Sequence, residues 1–375
     1  MSLLATEPVC VPRRSGRVGI LGIGTATPPG MPQEFSIRIA EELCCQTDEQ
    51  RLWVKRIFSR CGVAHRGSVL AVGGEATVRD FFRPRVTPAD RGPTTEERML
   101  RYAAEAPPLA QRAALAALND GRIDPASITH VVGASCTGFV APGLDVELIQ
   151  RLGLRADVQR VQIGFMGCHA AFNALNVAGK IAKADRNARV LVCCVELCSL
   201  HFAYGFDAQQ LVANALFADG AAAAVVGSAG DGAAVAWELA DSATLLIPDS
   251  RDAMTWRIGD HGFVMTLGPQ VPELIRAHLS DWVGPWLRKN GLAIGDIRSW
   301  AIHPGGPKVV RAAAEVLDLP EHATDASMRV LSEHGNMSSA TVLFVMQELA
   351  KMQGPCVALG FGPGLTAEAM LLFAD

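Results

Sequence analysis

The sequence predicts an α/β protein in which sheets and helices form layers and one β-α unit occurs twice. Three observations lead to this class. Short apolar runs alternate with longer stretches of helical periodicity, this alternation continues through most of the chain, and several segments recur in the second half. With 375 residues, 49% of them hydrophobic, the chain can bury a large core in two units, which we predict at residues 1–235 and 236–375.

The elements of the first half follow from apolar runs and their boundary residues. A predicted strand at 17–28 is closed by Gly and Pro, and an amphipathic helix at 94–119 ends before Asp120-Gly121. A proline near the start of the next helix is harmless there, since the first turn needs no backbone N–H partner. The remaining predictions are a strand at 128–138, a helix at 142–154, a strand at 188–196, and a turn followed by a strand within 215–228.

The second half repeats this order at nearly constant spacing, with offsets of about 165 to 169 residues. The stretch DIRSWAIHPGG near Ile297 matches SITHVVGASCTG near Ile128, 308–319 matches 145–154, 334–351 matches 166–183, and GPCVALGFGPG (354–364) matches NARVLVCCVE. Four matches in one order indicate an internal duplication.

The charge pattern excludes several partners. Lys and Arg total 34 and Asp and Glu total 38, with no long basic run, so we expect no nucleic acid as the main partner. No apolar run reaches the roughly 20 residues of a membrane span, and the N-terminus lacks the pattern of a signal peptide.

The ten cysteines show no CxxC pair. We therefore predict reduced thiols, no metal site and a cytoplasmic protein.

Cys168 is the first candidate for chemistry. It stands behind a glycine at the head of an alanine-rich run, IGFMGCHAAFNALNVAGK, that reads as a buried helix. A helix start favours an anion, and a thiol placed there can have its pKa lowered and become a nucleophile. A cysteine that only fills space in the core is the alternative.

The duplication adds two partners. Asn336 is equivalent to Cys168 (336 − 168 = 168), and His303 ends the strand equivalent to the one leading into Cys136. If the two units pack around a pseudo-twofold axis, Cys168, His303 and Asn336 share one pocket. Thiol and imidazole suit acyl transfer through a thioester, and His and Asn donors suit an enolate or a tetrahedral oxyanion. A cysteine hydrolase uses the same residue types, although the local sequence GFMGCHAAF and the duplication argue against a papain-like fold.

Seven motifs in one order resemble the type III polyketide synthases of the thiolase superfamily, typified by chalcone and stilbene synthases. They are CTGFVAPGLD (136–145), GFMGC (164–168), ARVLVCCVE (188–196), ALFADGAAA (215–223), IHPGGPKVV (302–310), GNMSSATVLF (335–344) and GFGPGLTAE (360–368). The resemblance covers almost the whole chain from about residue 17.

The resemblance implies a thiolase-like duplicated layered αβαβα fold and a homodimer that uses acyl-CoA and malonyl-CoA without a metal or redox cofactor. It implies that Cys168 carries the acyl chain while His303 and Asn336 bind the thioester carbonyl and stabilise the malonyl-derived enolate. The product would be a pyrone, a resorcinol or a related ring. Phe217 matches the gatekeeper between the CoA tunnel and the cavity.

Departures from the family pattern concern the cavity. Met265 stands where the family has a second phenylalanine, and Cys198 and His201 occupy cavity positions. Because Met tolerates flexible ligands, we expect an aliphatic or malonyl-derived starter rather than a coumaroyl one. His169, next to the nucleophile, is expected to pack away from the site.

Four basic residues are candidates for the CoA phosphates: Lys55, Arg56 and Arg60 in VKRIFSRCG, and Lys308 after HPGGP. A solvated helix face is the alternative for the first three.

Two other functions are compatible with the motifs. A β-ketoacyl synthase of fatty-acid initiation shares the Cys-His-Asn site but takes malonyl groups from acyl carrier protein; HPGGP and GFGPG favour the polyketide reading. A non-catalytic homologue would be expected to have lost one of the three residues.

Overall fold

The computed structural model describes residues 17–72, 74–229 and 235–374. Cys10, most of the segment assessed as a signal peptide and the last residues before 235 lie outside the described residues. The strands are β1 Val18–Ala26, β2 Gly30–Pro32, β3 His65–Gly67, β4 His130–Ser135, β5 Gln159–Gly164, β6 Arg189–Leu197, β7 Asp219–Ser228, β8 Trp237–Leu246, β9 Met254–Gly259, β10 Gly262–Leu267, β11 Ser299–Ile302, β12 Gly354–Gly362 and β13 Thr366–Ala374. The helices are α1 Gln33–Cys44, α2 Asp48–Arg60, α3 Glu75–Phe81, α4 Thr95–Asp120, α5 Leu144–Leu152, α6 Ala170–Ala184, α7 Ala208–Leu216, α8 Val271–Lys289, α9 Pro307–Val316, α10 Asp325–His334 and α11 Thr341–Leu349.

One large sheet runs through both halves of the molecule in the order β11-β12-β13-β8-β1-β7-β6-β4-β5. In the first half β4 is parallel to β6, β6 is antiparallel to β7, and β7 is antiparallel to β1. The second half repeats this pattern, because β11 is parallel to β12, β12 is antiparallel to β13, and β13 is antiparallel to β8. The halves join through a short β1–β8 pairing. This pairing pattern confirms the predicted duplication.

Three apolar clusters lie between and outside the sheet halves. The central cluster combines α6 from the first half with α11 from the second. The two outer clusters are built mainly by α4 and α5 on one side and by α8 and α9 on the other. Helices and strands therefore alternate in the αβαβα order that the sequence predicts, with the starts of α6 and α11 in the middle.

The predicted elements of the first half are confirmed within four residues at their ends. The helix α4, for example, begins at Thr95 because Thr94 and Glu97 form a reciprocal capping box, in which the Glu97 side chain accepts from the Thr94 backbone at 2.6 Å. Among the described residues, no helix is both long enough and apolar enough to cross a bilayer. The division at residue 235 stays a prediction.

Candidate active site

Cys168 and Asn336 each follow a tight turn that only glycine allows. Gly167 has φ +73°, and a Cβ built there would lie 2.2 Å from the Cδ atom of Pro363. The equivalent Gly335 has φ +74°, and a Cβ built there would lie 2.8 Å from the Cβ atom of Ala218. Both glycines therefore combine a left-handed backbone with a close approach. They place the two predicted site residues just ahead of the central helices α6 and α11.

The predicted trio lines a single cavity. One cavity is bordered by Cys168, His303 and Asn336, with Phe217 and Met265 beside them. Cys168, His303 and Asn336 are buried, with exposures of 6%, 1% and 1%. The geometric expectation from the duplication, that these three side chains meet at the centre of the molecule, is therefore met.

The ring of His303 is held in place without using its polar atoms. Its backbone N–H donates to the carbonyl of Leu359 at 2.7 Å, which extends β11 alongside β12. Neither ring nitrogen has a hydrogen-bond partner in the described part of the chain. Burial lowers the pKa of His303 to about 3, with the charge of His169 acting in the same direction. At neutral pH the ring is thus a neutral imidazole with one N–H donor and one free acceptor.

The side chain of Asn336 is oriented by its own turn. Its Oδ1 accepts from the backbone N–H of Ser338 at 2.9 Å and from the hydroxyl of Thr341 at 3.4 Å. These bonds leave the Nδ2 amide group available as a donor, and the Asn336 side chain is hydrogen-bonded with Cys168. Two backbone hydrogen bonds of 2.9 Å, to Leu216 and from Ala218, tie Asn336 to the segment that carries the predicted gatekeeper.

Burial works against the expected ionisation of the nucleophile. It raises the pKa of the Cys168 thiol to about 12, although hydrogen bonds to the side chains of Ser338 and Asn336 lower it and the charge of Glu196 raises it further. The helix start alone therefore does not produce a resting thiolate. The thiol needs a proton acceptor, and the free nitrogen of His303 lies in the same cavity.

A buried carboxylate supports the floor of the site. Glu196, which is fully buried, accepts from the Cys136 N–H at 3.0 Å, the Thr137 hydroxyl at 2.8 Å and the Ser339 hydroxyl at 2.5 Å. It thereby joins the end of β4, the end of β6 and the turn before α11. Burial raises its pKa. The sequence analysis missed its role, although a lone acidic residue at the end of the buried run VLVCCVEL is a usable signal.

His201 forms part of a wall rather than a catalytic group. Its Nε2 lies 2.7 Å from the Thr137 carbonyl, and its Nδ1 accepts from the Phe263 N–H at 2.9 Å. The ring stacks on Phe263 at 4.2 Å and meets the edge of Trp256 at 5.6 Å. Both nitrogens are engaged in the neutral form, and burial lowers the pKa of His201 to about 3.

The other predicted cavity residues lie where the catalytic space continues inward. Phe217 and Met265 border the catalytic cavity and two further spaces, and Cys198 borders both of these. Met254 and Trp256 also line this region, and the sequence analysis did not single them out. Their position depends on the β9–β10 hairpin, in which Trp256 pairs with Met265, so no local motif indicates it.

The predicted CoA-binding residues lie outside the cavities described here. Lys55, Arg56 and Arg60 are exposed on α2, and Lys55 pairs with Glu41 at 3.2 Å. Lys308 is exposed in the first turn of α9.

The end of α2 lies against the start of α9. A Cβ on Gly62, just after α2, would lie 2.9 Å from Pro307. Val309, one residue beyond Lys308, lines the catalytic cavity. Arg60 and Lys308 therefore belong to neighbouring parts of the surface on the α9 side of the catalytic cavity.

His169 follows Cys168, the predicted nucleophile, in the chain. Its Nδ1 is 2.9 Å from Oδ1 of Asn173, and Asn173 in turn donates to Glu368 at 3.2 Å. His169 is buried and lines none of the three cavities described here.

A duplicated αβαβα fold whose central cavity holds a cysteine, a histidine and an asparagine defines the class of thioester-condensing enzymes. Family models for the N-terminal and C-terminal domains of chalcone and stilbene synthases match residues 9–230 and 238–374. The chain belongs to this family, the type III polyketide synthases, which are acyltransferase enzymes.

Similar proteins cover nearly the whole chain. A 1,3,6,8-tetrahydroxynaphthalene synthase of Streptomyces peucetius subsp. caesius is 33% identical over 94% of this chain and 92% of its own length. An α-pyrone synthesis polyketide synthase-like protein of Mycobacterium tuberculosis is also 33% identical, over 94% of this chain and 90% of its own length. The crystal structure of polyketide synthase I from the brown alga Ectocarpus siliculosus has a TM-score of 0.88 and 29% identity, covering 97% of this chain and 100% of that one.

Proposed function

We propose that this protein condenses an acyl-CoA starter with malonyl-CoA through a thioester on Cys168 and then cyclises the poly-β-keto chain to a pyrone, a resorcinol or a related ring. The observation that carries the proposal is the single cavity in which the Cys168 thiol, a neutral His303 with two unpartnered ring nitrogens and the amide of Asn336 meet.

In the loading step, Sγ of Cys168 attacks the thioester carbonyl of the starter. The thiol proton passes to the free nitrogen of His303 as the C–S bond forms, because the thiol is not ionised at rest. The tetrahedral intermediate collapses, its bond to the CoA sulfur breaks, and the proton moves from His303 to that sulfur. The products are acyl-Cys168 and free CoA.

In the extension step, malonyl-CoA loses carbon dioxide. The electron pair of the broken C–C bond forms an enolate whose oxygen accepts hydrogen bonds from the His303 N–H and the Asn336 amide. The enolate carbon then attacks the acyl carbon on Cys168, and the C–S bond breaks. The chain, now two carbons longer, is a β-ketoacyl-CoA, and the released Cys168 thiolate takes up a proton to restore the thiol before reloading.

CoA thioesters fit this site as direct substrates. Lys308 and Arg60 lie on the α9 side of the catalytic cavity, where cationic side chains can pair with phosphates. We assign this region to the CoA end of the substrates, with Lys55 and Arg56 further along α2. A β-ketoacyl synthase dependent on carrier protein is the second candidate, and its requirement for that protein separates the two.

We further propose a homodimer formed through β5. Within the described part of the chain this strand pairs with β4 alone, and most of its residues are exposed, so its other edge can pair with a second chain. Exposed apolar residues cluster around the strand and its adjoining loops: Phe139 at 50%, Val140 at 42%, Val161 at 38% and Met166 at 38%. A second copy that pairs at this edge covers them.

We propose a cytoplasmic location and catalysis without a metal or redox cofactor. The proposed nucleophile must remain a free thiol, and all nine cysteines among the described residues are free. Activity should accordingly be unchanged by EDTA and by exhaustive dialysis.

The test is to incubate the purified protein with malonyl-CoA and acyl-CoA starters and to identify the products by mass spectrometry. Pyrone or resorcinol products support the proposal. Free acid without carbon–carbon bond formation would indicate a hydrolase, and activity only with carrier protein would indicate a β-ketoacyl synthase.

A further inference from the structure

The catalytic cavity is the first of three connected spaces. Phe217 and Met265 line all three, so the spaces meet at these two side chains. The second space is lined by Cys168 and Cys198, and the third shares Cys198 and Trp256 with it. A substituent on the sulfur of Cys168 can therefore extend past Phe217 and Met265 toward the third space.

The far end of the third space, which we name the distal pocket, is apolar. Its walls are Phe35 and Ile39 of α1, Leu70, Val78 of α3 and Phe82. All five are at most 4% exposed. Three separate elements therefore point carbon atoms into a volume that the catalytic residues do not reach.

Most polar side chains along the third space are engaged with the protein. The hydroxyls of Ser68 and Ser199 lie 2.9 Å apart, and Asn214 bonds the backbone of Ala203 through both amide atoms. The terminal nitrogens of Arg66 bind backbone carbonyls of α7 and Phe217, with Nε as its one unpartnered polar atom. Two uncharged groups, Ser36 and Gln210, complete the polar lining.

The buried charge of Arg66 has a counterion. Asp219 interacts electrostatically with the guanidinium, and its carboxylate is itself held by the N–H groups of Val69 at 2.8 Å and Ser199 at 2.7 Å. The pocket thus offers a ligand little polar chemistry and no uncompensated charge.

The aromatic wall between the second and third spaces disfavours a phenolic starter. The polar atoms of this wall are already bonded: Trp256 donates to the Cys136 carbonyl at 2.7 Å, and His201 uses both ring nitrogens. A hydroxyl buried against it would lose its water without gaining a partner, which is costly. A hydrocarbon chain has no such group and can bend past Met265.

We propose that the distal pocket holds the hydrocarbon chain of a medium- or long-chain saturated acyl starter while its carbonyl is attached to Cys168. The inference rests on the proposed function and names its substrate class. Each methylene that reaches the apolar wall is removed from water, so kcat/KM should rise by about fourfold per methylene until the pocket is full.

The test compares starters from acetyl-CoA through butyryl-, hexanoyl-, octanoyl-, decanoyl-, dodecanoyl- and palmitoyl-CoA, with coumaroyl-CoA and succinyl-CoA added, each with malonyl-CoA. Val78→Trp fills the distal pocket and should shift the optimum to shorter chains, whereas Val78→Ala enlarges it and should shift the optimum to longer ones. Leu100→Trp is the matched control, because Leu100 is 66% exposed on α4 and lines none of the three spaces. Circular dichroism melting verifies that each variant is folded.

The outcomes distinguish a wrong starter class from a wrong proposed function. A rising kcat/KM with chain length in the wild type, together with opposite shifts in the two Val78 variants, supports the inference. A preference for acetyl, coumaroyl or succinyl starters, or an optimum that does not move in either folded variant, overturns it while leaving the proposed function intact. If no starter yields a ketide, the proposed function itself fails.

Discussion

Replacing Asn336 by alanine should impair decarboxylation of malonyl-CoA more than loading of the starter. The substitution removes one of the two donors assigned to the enolate oxygen. It also removes a hydrogen bond to Cys168, but Cys168 and His303, to which we assign loading, stay in place. Loss of one such donor typically costs about 100- to 1,000-fold in rate, or about 2.7–4 kcal/mol. The backbone bonds of residue 336 with the segment around Phe217 do not depend on the side chain, so the turn should persist.

The assay measures the two steps separately. Loading is followed as acyl mass on the intact protein after mixing with acyl-CoA, and decarboxylation as conversion of malonyl-CoA to acetyl-CoA. Asn336→Asp is the matched variant, because it keeps an acceptor for the Ser338 N–H and removes the donor. It should also lose decarboxylation. Equal losses in both steps, or rapid decarboxylation by either variant, would refute the role assigned to the amide.

Three further predictions concern stability and assembly. Gly167→Ala should lower the melting temperature more than Gly291→Ala, since both glycines have φ near +75° but only the first would place a Cβ against Pro363; equal shifts would argue against that contact. The pKa of His201 is 6.5 in the unfolded chain and about 3 in the folded chain, so below pH 6.5 the unfolded chain is protonated at His201 and the folded chain is not. The free energy of unfolding should therefore fall as the pH falls. Between pH 6.5 and 5 this costs about 2 kcal/mol, and urea titrations should show a smaller loss for His201→Gln. Val161→Lys should convert the dimer to a monomer in light scattering, and a wild-type monomer or an unchanged dimer would contradict the β5 interface.

Local sequence patterns predicted much of the fold and the central trio. The repeated strands and helices have clear apolar runs, and the equivalence of Cys168 with Asn336 could be read from the spacing because duplicated units preserve it. The same spacing placed His303 at the end of a strand facing both.

The cavity walls could not be predicted in this way. Trp256 reaches the site through the pairing of β9 with β10, and the third space joins α1, α3 and β10, which are far apart in the chain. The protonation state of Cys168 also could not be predicted from the neighbouring sequence. The helix start favours a thiolate, but tertiary packing buries the sulfur, and that burial dominates.

The most direct test of the central claim is mass spectrometry of the protein after incubation with octanoyl-CoA, followed by peptide mapping and then addition of malonyl-CoA. We expect octanoyl mass on the peptide that contains Cys168, and its disappearance with release of carbon dioxide and a ketide when malonyl-CoA is added. Acyl mass on a different residue, or ketide formation by Cys168→Ala, would contradict the account.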